Sequence, residues 1–298
     1  MKHKNIFIKN NKCLCKKISN AKNKKMITCK DKETNLGVFS IFYCDKCKLG
    51  FTNPIVKENK SFLLYKKRDT SDFDVINYNF IDTIKNIQSK IQLKKITKGT
   101  KVKSFLDFGT GNGRYALSAS ELFKDANIWA VDFFDNYIFK NFPNKIIYSN
   151  YKKFYKTKKK FDVILLRHVI EHNHNPIKLL KKLRKRLNKN GIIYIEVPNL
   201  NSGTAKIFKN NWHLYYLPRH IFHYTEHSLK KTISLAGFKS KIKKIELPIM
   251  GNMFALYFNI KNYRLLPRLL GLILHPIQVF IEYIFDSSTC LSAICKKK

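Results

Sequence analysis

From residue 103 onward the apolar positions fall into short runs separated by amphipathic stretches. Residues 103–108, 128–131, 145–148, 161–166 and 192–197 read as buried strands. Residues 114–123 and 177–187 carry helical spacing, and the second helix has a cationic end closed by Asn190-Gly191. Further on, Thr225 is placed to cap a helix over 226–236 that stops at Gly237, and strands follow over 239–247 and 290–295. This alternation predicts an α/β fold, a Rossmann-like, doubly wound seven-stranded sheet with its ligand site at the strand C-terminal ends.

Two stretches break the rhythm. Residues 56–98 mix Lys with Phe62, Leu63, Leu64 and Tyr65, then Ile84, Ile87 and Ile91, and read as a helical linker or cap over the crevice. Residues 263–286 form an apolar insert within a domain running from 99 to 298. Arg268, His275 and Pro276 interrupt it, and its longest pure run, 269–274, is too short to span a bilayer. Two readings stay open, a helix in a membrane interface and a helix packed on the domain or on a second copy.

Composition narrows the class. The chain has 298 residues, 44% hydrophobic and 13% aromatic, enough for a full core and too apolar for a disordered chain. Lys and Arg number 58 against 20 Asp and Glu, a formal net charge of +38. The Arg positions are only eight (68, 114, 167, 184, 186, 219, 264 and 268) and the Lys are spread along the whole chain, so much of the charge is a solvated surface. Its field still attracts phosphates and anionic lipid. The Lys-rich start lacks the apolar stretch of a secretory signal, which predicts a cytoplasmic protein, with peripheral membrane contact as the open alternative.

Five of the seven cysteines lie within residues 1–55, which predicts a small Cys-rich, zinc-ribbon-like module. Cys44 and Cys47 have the two-residue gap that brings two thiolates to one tetrahedral Zn²⁺. Cys13 and Cys15 are the expected opposing pair, and Cys29 a substitute ligand. The expected role is structural, since so short a segment has little core of its own. Cys290 and Cys295 read as plain hydrophobes.

The richest chemistry follows the first strand of the sheet, in Asp107-Phe-Gly109-Thr-Gly111-Asn-Gly113. Alternate glycines allow a sharp turn and let a ligand lie on bare backbone at a helix start. A dinucleotide fingerprint would place its third glycine at 114, where Arg stands. Asp132 ends the next strand, positioned to accept both hydroxyls of an adenosine ribose.

With these residues the chain resembles the class I S-adenosylmethionine-dependent methyltransferases, from about residue 40 to its end. SFLDFGTGNGRY is similar to their first motif and AVD to their second, and HVIEHNHNP with LRKRLNKNGIIYIEVPN to the segment around their fourth and fifth strands. CDKCKLGFTNP, and the stretch from Trp212 through PRHIFHYTEHSL to AGF, resemble a narrower zinc-ribbon-bearing group that modifies sugars, glycans or secondary metabolites. Departures are Lys48 where the knuckle usually has Gly, the Cys13-Leu-Cys15 spacing, and Asn150 where an acid usually meets the adenine.

The resemblance implies S-adenosylmethionine held by Asp107, Gly109, Gly111, Gly113, Asp132, Asn150 and His168, with structural Zn²⁺ as a second cofactor. It implies methyl transfer to a small-molecule, sugar or lipid-linked glycan acceptor, with His220, His172 and His168 as catalytic candidates and His220 as general base. Glu171, Trp212, Arg219, His223 and Tyr224 would line the acceptor pocket, while His174 and His227 are expected at the surface or in caps. HVIEH with His220 is also partly similar to the metal site of small-RNA 3′-end 2′-O-methyltransferases, with His168 in place of their first Glu. That alternative puts a metal at Glu171, His172 and His220 and makes RNA the acceptor. A third reading is a non-catalytic protein with the same fold.

Overall fold

The computed structural model describes residues 6–10, 13–14, 24–31, 34, 36–65, 80–133, 143–257 and 270–298. The N-terminal segment supplies β1 (Phe7–Ile8), β2 (Lys24–Lys30), β3 (Val38–Cys44), β4 (Leu49–Asn53) and β5 (Ile55–Val56). After a 3₁₀ segment at Glu58–Leu64 come α1 (Phe80–Ile96), β6 (Ser104–Phe108), α2 (Arg114–Leu122), β7 (Asn127–Asp132), β8 (Ile146–Asn150) and α3 (Tyr151–Lys156). Next are β9 (Phe161–Arg167), α4 (Pro176–Arg184), β10 (Leu187–Pro198), α5 (Gly203–Phe208) and β11 (Phe222–His223). The chain ends with α6 (Glu226–Leu235), β12 (Phe238–Ile245), α7 (Met250–Tyr257), α8 (His275–Ile284) and β13 (Cys290–Lys297).

Seven strands form one Rossmann-like sheet in the order β12-β13-β10-β9-β6-β7-β8. The strands from β10 to β8 pair in parallel, and β13 runs antiparallel to both β10 and β12. Both faces of the central strands are buried, and the period of two assigns alternate side chains to two cores. Leu106, Ile164, Leu166, Ile193 and Ile195 pack with Phe154 of α3, Leu180 of α4 and Leu229 of α6. Phe105, Val163, Leu165, Ile192 and Tyr194 pack with Leu93 of α1 and Ala116 of α2.

Local chemistry sets the helix ends. The Asn175 side chain accepts from Lys178 N at the start of α4, with Pro176 in the first turn. Thr225 caps α6, as the sequence predicts, and the Ser228 side chain bonds back to the Thr225 amide. Such a cap contributes about 1 kcal/mol.

Two expectations need correction, for Asn190-Gly191 and for the N-terminal module. Asn190-Gly191 does not close α4, which ends at Arg184, but lies inside β10, where the register with β9 shifts between Leu187 and Ile192. A Cβ on Gly191 would stand 2.9 Å from the Phe161 carbonyl oxygen, so the irregularity itself needs glycine. Ile84, Ile87 and Ile91 of α1 are exposed, because the helix turns Ser89, Leu93 and Ile96 inward instead. The N-terminal sheet does not close on its own segment: its order is β11-β4-β3-β2, so its edge strand comes from residues 222–223. Cys44, Cys47, Leu49 and Phe51 consequently share the core of the large sheet.

Candidate active site

The glycine loop is built from the sheet outward. Gly109 N and Thr110 N donate to Val131 O at 2.7 and 3.1 Å, and Thr110 Oγ1 donates to Asp107 Oδ2 at 2.7 Å. Burial pushes the Asp107 carboxyl up to about 6, against the lowering effect of the Thr110 hydrogen bond. Gly109, Gly111 and Gly113 have φ of 79°, 57° and 76°, in the left-handed region. A Cβ on Gly109 would meet Val169 Cγ2 at 2.5 Å, whereas one on Gly111 would meet nothing within 4 Å. Open space therefore lies against bare backbone at Gly111, beside the strand-end acid. Asp132 Oδ2 accepts from Gly111 N at 2.9 Å and Oδ1 from Phe133 N at 2.6 Å, which aims the carboxylate at the loop. This cradle and acid fit an adenosyl ligand.

The ends of β9 and β10 form a charged wall. Glu196, fully buried, accepts from Arg167 Nε and Nη2 at 3.0 and 2.6 Å, from Gln92 Nε2 at 3.0 Å and from the Tyr194 hydroxyl at 2.9 Å. Burial alone would raise its pKa, but Arg167 and His168 outweigh it and hold Glu196 far below the carboxylate range. His168 lies between two acids, its Nδ1 3.3 Å from Glu171 Oε1 and its Nε2 3.3 Å from Glu196 Oε1. Burial would lower its pKa, yet the close carboxylates of Glu171 and Glu196 win and raise it to about 9. A ring protonated at neutral pH is a donor, not a base. Its backbone sits at φ 52°, the uncommon conformation that recurs at functional sites.

Three further side chains meet behind His168. Ile221 N donates to Glu171 O at 2.8 Å, which brings the loop before β11 against the loop after β9. His172 Nδ1 pairs with Arg219 O at 3.1 Å and His220 Nδ1 with Leu214 O at 2.9 Å. A ring nitrogen facing a carbonyl must carry the proton, so each Nε2 bears the lone pair. One ligand atom each from Glu171, His172 and His220 lie within 4.8 Å of one another. Neither oxygen of the buried Glu171 carboxylate has a hydrogen-bond partner among the described residues; the contact to His168 Nδ1 at 3.3 Å is a charge contact only. Burial, then His172 and His223, keep the His220 pKa well below the ordinary imidazole value. The set has the donors and the backbone-fixed tautomers of a two-imidazole, one-carboxylate metal site.

A second cluster holds thiols. Cys13 Sγ lies 3.7 Å from Cys44 Sγ and 3.8 Å from Cys47 Sγ. Tetrahedral ligation at about 2.3 Å puts sulfurs about 3.8 Å apart, so the spacing fits Zn²⁺. Cys15, the expected fourth ligand, lies outside the described residues. Lys48, at φ 53°, takes the turn usually given to Gly, and its carbonyl accepts from Thr225 Oγ1 at 2.7 Å. Cys29 lies apart from the cluster, with its thiol on Asn210 O at 3.4 Å.

The other expected residues divide. Arg219 is buried, with Nε donating to Leu64 O at 2.9 Å, and it shapes the site through its own carbonyl. His223 is neutral, lowered by burial to about 3; Thr52 Oγ1 donates to His220 O at 2.6 Å, so His223 Nε2 must donate to that hydroxyl at 2.9 Å. Tyr224 is buried, its phenol pushed up by burial and by the Glu171 charge. Trp212 belongs to the core under the N-terminal sheet, with Nε1 on Thr204 Oγ1 at 3.1 Å. Asn150 caps α3 by accepting from Lys153 N at 2.8 Å. His174 is not at the surface: it is buried and bonded to Val56 O at 2.8 Å, while His227 is exposed. Our reading of the sequence missed Arg167, Glu196 and Gln92, although an acid inside the apolar run IIYIEVP was a signal.

No helix among the described residues is long and apolar enough to cross a membrane. Over 80 residues the chain is 35% identical to the tRNA U34 carboxymethyltransferase of Campylobacter jejuni strains, covering 27% of this chain and 28% of that protein. The chain thus spans under a third of the length of the curated relatives it matches. Among solved structures, a plantazolicin methyltransferase in complex with a pentazolic desmethylPZN analog and SAH gives a TM-score of 0.52 at 18% identity, over 80% of this chain and 94% of that one. Coclaurine N-methyltransferase, bound to N-methylheliamine and SAH, gives 0.52 at 12% identity, over 80% and 86%. At these identities the likeness is one of fold. The family model described as a methyltransferase domain matches residues 83–241, more than half of the chain. With its glycine loop and strand-end acid in place, the chain belongs to the methyltransferase domain family.

Proposed function

We propose that the methyl group goes to a hydroxyl held against a divalent cation, and that the hydroxyl belongs to an RNA ribose. One observation carries the reading: the buried Glu171 carboxylate, without a hydrogen-bond partner on either oxygen, stands within 4.8 Å of ring nitrogens of His172 and His220. A buried carboxylate is costly unless cationic groups answer it, and His168 answers one oxygen only. Two imidazoles with one carboxylate suit Mn²⁺, Fe²⁺ or Zn²⁺ better than Mg²⁺.

Bound on the glycine loop, S-adenosylmethionine would supply the electrophilic methyl group and leave as the neutral thioether, and the cation held by Glu171, His172 and His220 would supply Lewis acidity that lets the hydroxyl lose its proton to water. The residues of the chain do the rest. Gly111 offers bare backbone, Gly109 and Gly113 hold the left-handed turns of the loop beside it, and Asp132 accepts from the ribose hydroxyls. His168, kept protonated, stays a donor between Glu171 and Glu196. Glu171, His172 and His220 orient the acceptor oxygen, and buried Tyr224 and His223 help exclude water behind them.

The net charge of +38 supports an RNA acceptor, since phosphates dominate nucleic-acid affinity. The local likeness to a tRNA-modifying enzyme supports it as well. The thiols of Cys13, Cys44 and Cys47, with Cys15, are read as a structural zinc site. A second reading keeps a sugar or lipid-linked acceptor, with His220 Nε2 as a metal-free base. The exposed apolar face of α8 favours it.

Methyl-labelled cofactor, Mn²⁺ and fractionated extract separate the two. Label in RNA whose 3′ ends become periodate-resistant supports the first reading. Label confined to lipid or nucleotide-sugar fractions selects the second.

A further inference from the structure

Helix α8 is built inside out. Its two buried side chains are polar, Gln278 and Glu282. Gln278 accepts from Ile249 N at 2.8 Å and donates to Leu247 O at 2.7 Å. Glu282 accepts from Ser202 Oγ at 2.5 Å, Gly203 N at 2.7 Å and Thr204 N at 3.0 Å. These bonds fix the helix rotation, because withdrawing either group would leave buried backbone donors unpaired. The rotation turns the apolar residues outward. Leu272, Ile273, Ile277, Phe280, Tyr283 and Ile284 are 51 to 81% exposed, on a backbone that runs helically from 270 through Leu274 into α8. Ile207, on the neighbouring α5, extends the patch.

A water-facing surface helix normally reverses this arrangement. Charge at the margins names the occupant. Glu282 points inward and Asp286 is paired with Lys244 at 2.6 Å, so the face shows no unpaired acid among the described residues. Lys206 stands at its edge, 4.8 Å from the Phe285 ring. A second copy also carries +38, which opposes self-association, whereas an anionic surface is attracted.

We propose that this face docks onto an anionic lipid bilayer, lying in the interface rather than spanning it. The outward residues enter the acyl boundary, and Lys206 meets the headgroups. Because α8 is tied through Glu282 to Ser202–Thr204, just beyond the end of β10, docking sets the catalytic edge of the sheet close to the membrane. The inference does not depend on the acceptor proposed above.

The test is flotation of the full chain with vesicles of phosphatidylcholine alone and with 30% phosphatidylglycerol, at about 0.15 M salt. The chain should float with the anionic vesicles, and Ile277→Ser and Phe280→Ser should each weaken partition about tenfold with melting temperature unchanged. Tyr283→Ser, at the most exposed position, is the second variant should either fail to fold. Absence of flotation would overturn the proposal. So would flotation that is lost at 0.5 M salt but indifferent to the substitutions, which marks charge attraction alone. A vesicle-free dimer broken by the same substitutions would assign the face to a second copy and overturn it equally.

Discussion

The rings of His172 and His220 stand with centroids 4.6 Å apart and planes at 72°. Each is oriented by a backbone carbonyl, Arg219 O for one and Leu214 O for the other, and the hydrogen bond from Ile221 N to Glu171 O locks the two loops that carry them. The pair is therefore preorganised by backbone, with the Tyr216 ring packed edge-on against both. An acceptor or cation entering there meets fixed donors, and reorganisation costs little at the moment of reaction.

Asp132→Ala should weaken cofactor binding by tenfold or more while the fold survives. Loss of a charge-assisted pair to ribose hydroxyls costs about 1.5–3 kcal/mol, and the Gly111 amide loses its acceptor as well. Calorimetry with the demethylated cofactor checks this. Unchanged affinity would reject the ribose assignment.

The glycines should fail in different ways. Gly109→Ala drives a Cβ to 2.5 Å from Val169 Cγ2 at a left-handed φ, so stability should fall by about 2 kcal/mol or more. Gly111→Ala meets no protein atom within 4 Å, so stability should drop by only about 1 kcal/mol, from backbone strain. Its methyl nevertheless projects into the space read as the ligand site, so cofactor affinity should collapse. Denaturant titration beside calorimetry separates the two effects.

Purified chain should carry one zinc, and Cys47→Ser should release it. Cys44 and Cys47 lie in the core shared with α6, so metal loss should destabilise the whole domain by several kcal/mol. Metal analysis and a melting curve test this together. Zinc-free chain with the same melting temperature would dismiss the site.

Stability should fall as pH rises from about 4.5 to about 7, in part through Glu246. Burial, then the Glu282 charge, push its carboxyl up to about 7, while an unfolded carboxyl titrates near 4.5. Between these values the folded chain binds the extra proton, so raising the pH favours unfolding. Glu246 is partly exposed, and solvent screening reduces its share to about 1 kcal/mol. Glu246→Gln should flatten that part of the profile, read from urea midpoints across the range.

The alternation of strands with helices and the glycine loop were legible because the central strands are buried on both faces and left-handed turns demand glycine. Asp132 was legible because it ends an apolar run. Asn190-Gly191 misled because the same dipeptide serves a helix stop and a strand irregularity, and only the close approach of Phe161 O separates them. Glu196 was hidden because its partners, Arg167, His168 and Gln92, come from other elements, so its pairing is a tertiary fact. The apolar run around α8 was plain in the sequence. Its outward rotation was not, since that depends on what Gln278 and Glu282 find beneath them. The pairing of β11 with β4 was equally invisible, resting on residues far apart in the chain.

Manganese titration of the purified chain, followed by calorimetry and by methyl transfer to RNA, tests the central claim most directly. The account predicts one saturable site, weakened 10- to 100-fold by Glu171→Ala or His220→Ala with cofactor affinity unchanged, and transfer that stops with EDTA and returns with Mn²⁺. Transfer that proceeds undiminished in EDTA, from a chain that binds no manganese at these residues, would contradict it.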